Sequence, residues 1–476
     1  MRSSRITASV LLACALAASA CGSRLTHGQI LAQNVVTGGG AGSGGVTAGG
    51  AGAGTGDNAA GGAGADAGTS GATGGTGPGA LVSGQAGSSG ASAATGGGAG
   101  PANGGAGGAS GGGTKAPLIV GMVGWLSGIG GGTGTYSRDV LVAWSKSVNA
   151  KGGINGHPIQ LYVADDGGDD SRSVSIVRDF VENKHVIALL DYFGGSAVGV
   201  GNYVKTKNVP IIGGNIIEPV WSQNPMLFPQ NAGTEGHFWG AAKLAVAAGV
   251  KKVATVYCTE VSACSQSNDT FLKYAQAAGL QVVYQGRISF TQPDYTADCL
   301  QMRNAGAQAV VPITENTSTI RLAQSCGRQQ FHPIYDLQAV DDAVATIPEF
   351  EGSIGNLASF PWFLHSGSPP LAEYGQALQN YAPSHLNDGV DSQTDGWLAG
   401  KIFEKAAANV SDNPTSQEIL AGLWGMKNES LGGLLEGGDV RTYTQGQPTP
   451  DTFCVYATKV QGGKWLAPQD LTPTCR

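Results

Sequence analysis

Short apolar runs alternate with amphipathic segments along residues 116–476. The runs PLIVGMV, PIQLYVA, VIALLDY and VPIIGG have the length and composition of buried strands. Between them, apolar residues recur at helical spacing, as Val140, Trp144 and Val148 do. Because parallel strands need a crossover between them, this alternation predicts parallel sheets with right-handed connections.

The same alternation occurs a second time further along the chain. The apolar runs are now KKVATVY, LQVVYQG, AQAVVPI and HPIYDL, and the segments between them include NDTFLKYAQAAG and TSTIRLAQSCG. Two series of this kind in one chain predict an α/β fold with two similar lobes. At the end of the chain, TFCVYATKV and KWLAP predict a hairpin that turns at Gly462 and Gly463.

The first twenty residues have the pattern of a secretory signal. Two arginines precede an apolar segment that is too short to span a bilayer, and small residues then precede Cys21. This order resembles a bacterial lipoprotein cleavage site, so residues 1–20 are predicted to be removed and Cys21 to be lipidated; an ordinary cleaved signal is the alternative. Residues 37–114 are almost entirely Gly, Ala, Ser and Thr, so residues 21–115 are predicted to form a flexible tether.

Charge and cysteine content narrow the class of protein. The 27 basic and 34 acidic residues give a formal net charge of -7, which does not favour a nucleic-acid partner. Six cysteines remain after the signal region, and an even number suggests disulfides in an exported protein. Fifteen pairings are open in principle. No metal site is predicted, because no cysteine pair has a two-residue spacing and no histidine cluster accompanies them. Sequence neighbourhood favours the pairs Cys258 with Cys264, Cys299 with Cys326 and Cys454 with Cys475.

The glycine-rich loop of residues 124–134 raises two enzymatic hypotheses. It is similar to a dinucleotide cradle, but Trp125 to Ser127 separate the strand from most of its glycines, and Asp165 lies too far along the chain for a ribose partner. A hydrolase is the second hypothesis, but no G-x-S-x-G elbow occurs and the seven histidines stand alone. Neither hypothesis is favoured, so no catalytic residue and no cofactor are predicted.

A longer motif favours a binding protein. Residues 147–169, SVNAKGGINGHPIQLYVADDGGD, resemble the helix, turn and strand of the type I periplasmic solute-binding proteins of the branched-chain amino acid transport group, which are similar to leucine-binding protein. The segments VENKHVIALLDY, KNVPIIGGN and TQPDYTADCLQMRNAGAQAVV resemble the same family in the same order. The resemblance covers nearly all of residues 116–476. It implies two α/β lobes, joined by three hinge crossovers, that close on a small-molecule ligand without doing chemistry.

The resemblance also implies a location, a partner and a division of the chain. We expect a monomer outside the cytoplasm, anchored to the bacterial cell membrane by its lipid alone, in the periplasm or at the cell surface, which delivers its ligand to an ABC permease. A ligand sensor of the same fold, coupled to a signalling partner, is the alternative. Lobe I is expected to contain residues 116–232 and 356–440, and lobe II residues 233–355 and 441–476, with crossovers near 230–234, 359–362 and 440–443.

Ligand-binding residues are expected at the carboxyl ends of the strands, where helix N-termini direct N–H groups into the cleft. In relatives that bind amino acids, the resemblance implies that a Ser and a Thr of lobe I hold the carboxylate and a Glu of lobe II holds the ammonium. Ser196 matches the first position, the Thr is absent near Asn215, and Gln338 replaces the Glu. The predicted set is Trp125, Ser127, Tyr192, Gly195, Ser196, Asn215, Thr259, Glu260, Thr314, Tyr335, Gln338 and Trp362.

These departures from the family pattern change the expected ligand. A neutral amide such as that of Gln338 cannot neutralise a buried ammonium. Glu260, inside CTEVSAC, is either a substitute acid or a solvated loop charge, and the second interpretation is favoured. Trp125 and Trp362 are aromatic candidates for the cleft wall, the latter in an expected hinge strand. The sequence therefore predicts an amino acid, an amide or an aromatic compound as ligand, with a neutral or aromatic compound favoured over an α-amino acid.

Overall fold

The computed structural model describes residues 115–128, 131–338 and 340–476. The predicted signal peptide, Cys21 and the predicted tether up to residue 114 lie outside these ranges, so those expectations stay predictions. Among the described residues, no helix combines the length and the apolar character needed to cross a membrane.

Five parallel strands form the first sheet, in the order β2-β1-β3-β4-β5. Strands β1 and β3 are buried along almost their whole length, as expected of parallel strands that helices cover on both faces. This burial explains why their sequences are mainly apolar, with the buried Asp191 of β3 as an exception. The elements are β1 (Leu118–Gly124), α1 (Gly131–Ala150), β2 (Ile159–Asp165), α2 (Asp170–Glu182), β3 (Ala188–Tyr192), α3 (Ala197–Lys207), β4 (Ile211–Gly214) and β5 (Leu227–Phe228).

The second sheet is larger and mixed, in the order β12-β11-β10-β9-β8-β6-β7 with β13 beside β11. Strands β6 to β10 are parallel, and β11 pairs antiparallel with both β10 and β12. The predicted hairpin at the end of the chain is therefore confirmed. The elements are α4 (Thr234–Ala247), β6 (Lys252–Cys258), α5 (Ser262–Ala277), β7 (Gln281–Ile288), α6 (Thr296–Asn304), β8 (Ala309–Ile313), α7 (Asn316–Arg328), β9 (Ile334–Leu337), α8 (Asp342–Ala345), β10 (Ile354–Leu357), β11 (Cys454–Gln461), β12 (Lys464–Leu466) and β13 (Thr474–Cys475).

Between β10 and β11 the chain returns to the first sheet. Gly396 and Gly400 lie one turn apart on a helix that packs against α1, where a Cβ atom would collide with the Ser137 carbonyl and the Trp144 ring. Glycine at both positions lets the two helices approach closely. This packing fixes the beginning of the helix that carries Gly396 and Gly400 beside the first sheet, at the edge where the candidate site lies. The three helices of this segment are α9 (Pro369–Tyr381), α10 (Gln393–Ala406) and α11 (Ser416–Gly425).

Three segments carry the chain between the lobes, and hydrogen bonds join the first to the third. The Arg441 guanidinium in the third segment donates from Nη1 to the carbonyl oxygen of Asn231 in the first, at 3.3 Å. The Tyr443 hydroxyl donates to the carbonyl oxygen of Pro229 at 2.9 Å. Arg441 is itself buried and paired with the buried carboxylate of Asp439. Two lobes with parallel central sheets and three crossovers confirm the predicted fold class.

Three disulfides occur within the described residues, and they join the pairs that sequence neighbourhood favours. The bridge between Cys299 and Cys326 links α6 to α7, the helices that precede and follow β8. The remaining bridges close the loop after β6 and attach the end of the chain to β11; they are Cys258–Cys264 and Cys454–Cys475.

The prediction that Trp362 lies in a hinge strand is wrong. Strand β10 ends at Leu357, and Trp362 lies in irregular chain beyond it. The indole is buried, donates from Nε1 to Asp342 Oδ1 at 3.2 Å, and packs edge-on against the Trp465 ring with centroids 5.7 Å apart. Aromatic packing and this hydrogen bond, rather than strand pairing, hold the segment in place.

We predict that Arg441→Met strongly destabilises the protein, because it leaves the Asp439 carboxylate buried without its cation. Burial already raises the pKa of Asp439 to about 6 even with Arg441 beside it. Removing one partner of a buried ion pair costs about 3 kcal/mol or more, so the midpoint of guanidinium chloride unfolding should fall. Adding Asp439→Asn to the same variant should recover part of the loss, and an unchanged midpoint in the single variant would contradict this account.

Candidate functional site

A cavity of about 350 Å³ lies between the two lobes. Its lobe I wall comes from residues that directly follow strands, with Trp125 after β1 and Phe193 after β3. Its lobe II wall is formed in the same way by Thr314 after β8 and Gln338 after β9. The carboxyl ends of both parallel sheets therefore point at one space, which is where ligands bind in open α/β folds.

Four of the predicted binding residues line this cavity. They are Trp125 and Asn215 from lobe I and Thr314 and Gln338 from lobe II. The Trp125 ring lies against the backbone of Gly168, where a Cβ atom would collide with it. The Gln338 amide bridges two strands, because its Nε2 donates to Asp336 Oδ1 at 3.1 Å and its Oε1 accepts from Asn356 Nδ2 at 2.9 Å. The other predicted residues lie outside the cavity; these are Ser127, Tyr192, Gly195, Ser196, Thr259, Glu260, Tyr335 and Trp362.

The turn between β3 and α3 donates its hydrogen bonds to carboxylates of the protein itself. The Ser196 hydroxyl donates to Glu218 Oε1 at 2.9 Å, and the Ala197 N–H donates to Glu218 Oε2 at 2.6 Å. The Ser196 N–H donates to Asp170 Oδ1 at 2.5 Å. The groups expected to bind a ligand carboxylate are therefore already occupied.

Asp166, which directly follows β2, completes this arrangement. Its Oδ2 accepts from the Gly195 N–H at 2.9 Å and also from the Ser173 hydroxyl, and its side chain is buried. The Tyr192 ring is buried behind the turn, and its hydroxyl donates to the Ser196 carbonyl oxygen at 3.3 Å. Tyr192, Gly195 and Ser196 thus build the turn rather than the cavity wall.

Glu260 is bonded within its own lobe. Its Oε1 accepts from the Ser289 hydroxyl at 2.5 Å and from the Phe290 N–H at 2.8 Å, while its Oε2 accepts from the Thr259 N–H at 3.2 Å. These hydrogen bonds lower the pKa of Glu260 below the usual value, against a desolvation effect that raises it. The residue and its neighbour Thr259 lie at the exposed loop that follows β6.

Two further predicted residues, Tyr335 and Ser127, make contacts that stabilise the fold. The Tyr335 side chain points away from the cavity inside β9 and packs edge-on against Phe350, with ring centroids 5.1 Å apart. The Ser127 hydroxyl bonds to the Asp165 carboxylate, which also accepts from the Leu126 N–H at 3.0 Å. These contacts hold the glycine loop against the end of β2.

Two of the three acidic residues of the cavity wall come from a segment that the sequence patterns did not single out. Asp391 and Asp395 lie at the beginning of α10 and line the cavity. Asp395 Oδ1 accepts from Asn231 Nδ2 at 2.8 Å and from the Ser359 hydroxyl at 2.7 Å. The sequence signal was the pair of acids four residues apart in DSQTD, at a helix start.

Both carboxyl groups have perturbed acidities. Burial, followed by the nearby Asp395 charge, raises the pKa of Asp391 to about 8. Burial raises the pKa of Asp395 to about 6, although the hydrogen bond from Ser359 acts in the opposite direction. Both acids are therefore held at a cost in the unliganded cavity, and a bound positive charge would favour their ionised forms.

The ionisable groups of the cavity wall also include a histidine. His237 lines the cavity, its Nε2 donates to the Asn356 carbonyl oxygen at 2.7 Å, and burial lowers its pKa. This hydrogen bond fixes the tautomer of a neutral imidazole. Within the described residues, no group of three or more His, Cys, Asp or Glu is arranged to hold a metal ion.

A second cavity, of about 450 Å³, lies on the outer side of α3. Its wall includes Val198 and Lys205 on α3, Glu218 to Val220, and Gln266 from α5. The sides of helices form it, not the carboxyl ends of strands. We therefore take the smaller cavity at the strand ends as the candidate site.

Comparison with known proteins agrees with this geometry. Residues 117–464 match a family model described as Periplasmic binding protein. The amino acid binding protein of Pseudomonas aeruginosa is 25% identical over 207 residues, which are 41% of this chain and 53% of that protein. The match thus spans about half the length of that relative.

Solved structures with little sequence identity have the same fold. A branched-chain amino acid ABC transporter protein from Thermus thermophilus, with bound valine, has a TM-score of 0.66 at 15% identity and covers 76% of this chain and 97% of its own. A solute binding protein from R. palustris, in complex with benzoate, has a TM-score of 0.60 at 14% identity and covers 75% of this chain and 97% of its own.

We predict that Asp391→Asn raises the melting temperature of the unliganded protein, and more so at alkaline pH. A carboxyl group whose pKa is higher in the folded state than in the unfolded state favours folding at low pH and loses that contribution as pH rises to the folded pKa. The difference between variant and wild type should therefore grow from about pH 5 to about pH 8. Asp269→Asn, at an exposed position on α5, is the control. A difference that does not change with pH would contradict the prediction.

Proposed function

The chain belongs to the periplasmic binding protein family, and we propose that it is an extracytoplasmic receptor that captures a small organic solute by closing its two lobes. The observation that carries this proposal is the cavity of about 350 Å³ whose walls come from the strand ends of both lobes. A solute that contacts both walls favours the closed arrangement, because its contacts are complete only when the lobes meet.

Apolar side chains at the rim support a closing motion. Ile217 of lobe I and Val261 of lobe II line the cavity, yet they remain 42% and 36% exposed. Large apolar side chains gain about 25 cal/mol for each Å² that is removed from water. Closure around a solute would bury these two residues and so add to the free energy of binding.

The captured solute would then pass to an ABC permease without chemical change. The match to a family of binding proteins supports this step. The relatives from Thermus thermophilus and R. palustris hold valine and benzoate, respectively. Small amino acids and aromatic compounds are therefore the first solutes to test.

We predict that a small organic solute raises the melting temperature of the purified full-length protein. A panel of amino acids, aromatic acids, amides and amines should contain at least one such compound, since a ligand that binds only the folded state stabilises it. Thr314→Trp should abolish this increase by filling the cavity, whereas Gln276→Trp at an exposed position on α5 should preserve it. If no compound changed the melting temperature, the receptor proposal would fail.

We also propose that Cys21 carries a lipid that holds the receptor at the cell membrane. The support is the signal-like segment that ends in small residues before Cys21. The prediction is that Cys21→Ser moves the protein from the membrane fraction to the aqueous fraction of the producing bacterium, while a Cys14→Ser control leaves it in the membrane fraction. Equal partitioning of the Cys21→Ser variant and the wild type would exclude the lipid anchor.

A further inference from the structure

Hydrogen-bond donors beside the candidate site are already bonded to carboxylates of the protein, and this limits which solute groups the site can bind. The turn before α3 donates from Gly195, Ser196 and Ala197 to the protein's own carboxylates. A helix N-terminus with free N–H groups attracts anions, and one whose N–H groups are satisfied internally does not. A solute carboxylate would therefore have to displace a protein carboxylate at this turn.

The same arrangement occurs in lobe II at the helix that follows β8. Glu315 lines the cavity and caps α7, accepting from the Thr317 N–H at 2.6 Å and from the Ser318 N–H at 2.7 Å. This helix start is also neutralised by a carboxylate of the chain. Anion-binding positions on both sides of the cleft are thus occupied from within.

On the opposite side of the cavity, the polar groups are mainly acceptors. Asp391 and Asp395 line this corner, and neither pairs with a lysine or an arginine among the salt bridges of the described residues. Asn231 adds an independent observation, because its side chain is only 4% exposed and its Oδ1 has no hydrogen-bond partner within the described residues. A buried acceptor without a donor is costly.

The orientation of the Asn231 amide follows from its neighbours. Its Nδ2 donates to Asp395 Oδ1 at 2.8 Å and to Ser359 Oγ at 2.7 Å. An amide oxygen facing the Asp395 carboxylate would repel it, so the network places the nitrogen there and leaves Oδ1 as the free acceptor. In this corner, the Asn231 Oδ1 atom therefore has no hydrogen-bond donor among the described residues, and the two aspartates have no cation beside them.

The remainder of the wall suits an apolar body. Trp125, Phe193, Ile216, Phe238 and Leu357 line it, and the lining residues of the described chain include no lysine and no arginine. Three carboxyl groups and no permanent cation give the cavity an acidic character. An aromatic or branched aliphatic portion would bury its surface against these side chains.

We propose that the captured solute is an organic amine, with an apolar body and an ammonium group that binds to Asp391, Asp395 and the free Oδ1 of Asn231. An ammonium group supplies both the missing donors and the missing positive charge. This inference rests on the proposed receptor function and names the solute class for its site. It places the ammonium partners on lobe I, not at Gln338 or Glu260.

Isothermal titration of the full-length protein with matched compounds tests the proposal. The probes are 2-phenylethylamine, 3-phenylpropanoate, 3-phenylpropanamide and L-phenylalanine, with 3-methylbutylamine and L-leucine as an aliphatic pair. We expect each amine to bind at least about tenfold more tightly than the acid, the amide or the amino acid with the same body. The acid tests for an unexpected anion site, and the amide separates hydrogen bonding from charge.

The variant Asp391→Asn tests the assigned contact. It should weaken binding of the preferred amine by about tenfold or more while the unliganded variant stays folded, as its melting curve would report. The matched control is Asp269→Asn on the exposed surface of α5, which should bind the amine like the wild type. A loss confined to the amines, with no loss for the neutral amide, is the signature of a charge contact.

The outcomes separate the amine ligand from the receptor function. If the acid, the amide or the amino acid bound as tightly as the amine, the amine proposal would be overturned while the receptor function stood. Unchanged amine binding by Asp391→Asn would overturn the amine proposal in the same way. If none of these probes or the wider panel bound, both proposals would fail.

Discussion

The hydrogen-bonded group of Asn231, Ser359 and Asp395 is the contact on which the rest of this molecule depends. It joins the first crossover, the second crossover and the start of α10, with distances of 2.7 Å between Asn231 and Ser359 and 2.8 Å between Asn231 and Asp395. The buried Arg441 in the third crossover donates to the backbone of the same Asn231. Because these residues also line the cavity, the crossovers and the candidate site share the same residues.

Internal carboxylates set the character of the cleft. In an open α/β fold, helix N-termini at the strand ends are ready positions for anions. Here Glu218 and Asp170 occupy one such position and Glu315 occupies another. The chain keeps the architecture of its family, but its own carboxylates occupy these anion positions, so the fold alone does not determine the ligand.

The two acids at the start of α10 also lower the stability of the folded protein, because their charged forms are buried. Asp391 and Asp395 are held where burial raises the pKa of both groups. Functional sites commonly carry such unfavourable groups, and the remainder of the structure compensates for them. The close packing of α10 through Gly396 and Gly400, together with the Cys258–Cys264 disulfide, supplies rigidity around this site, since Cys264 lines the cavity.

The three crossovers were implied by the family resemblance, whereas the sequence by itself determined the two sheets, the final hairpin and the favoured cysteine pairs. These features follow from local patterns, because a parallel strand buried on both faces must be apolar along its length and cysteines near in sequence are readily brought together. It also selected Trp125, Asn215 and Thr314, since strand ends are visible as the points where apolar runs stop, while Gln338 was selected through the family resemblance. Only the tertiary structure decided that Asp395 meets Asn231, 164 residues away, and that carboxylates fill the turn at Ser196. Side-chain partners across such separations depend on how helices pack, and a single sequence carries no local signal for that.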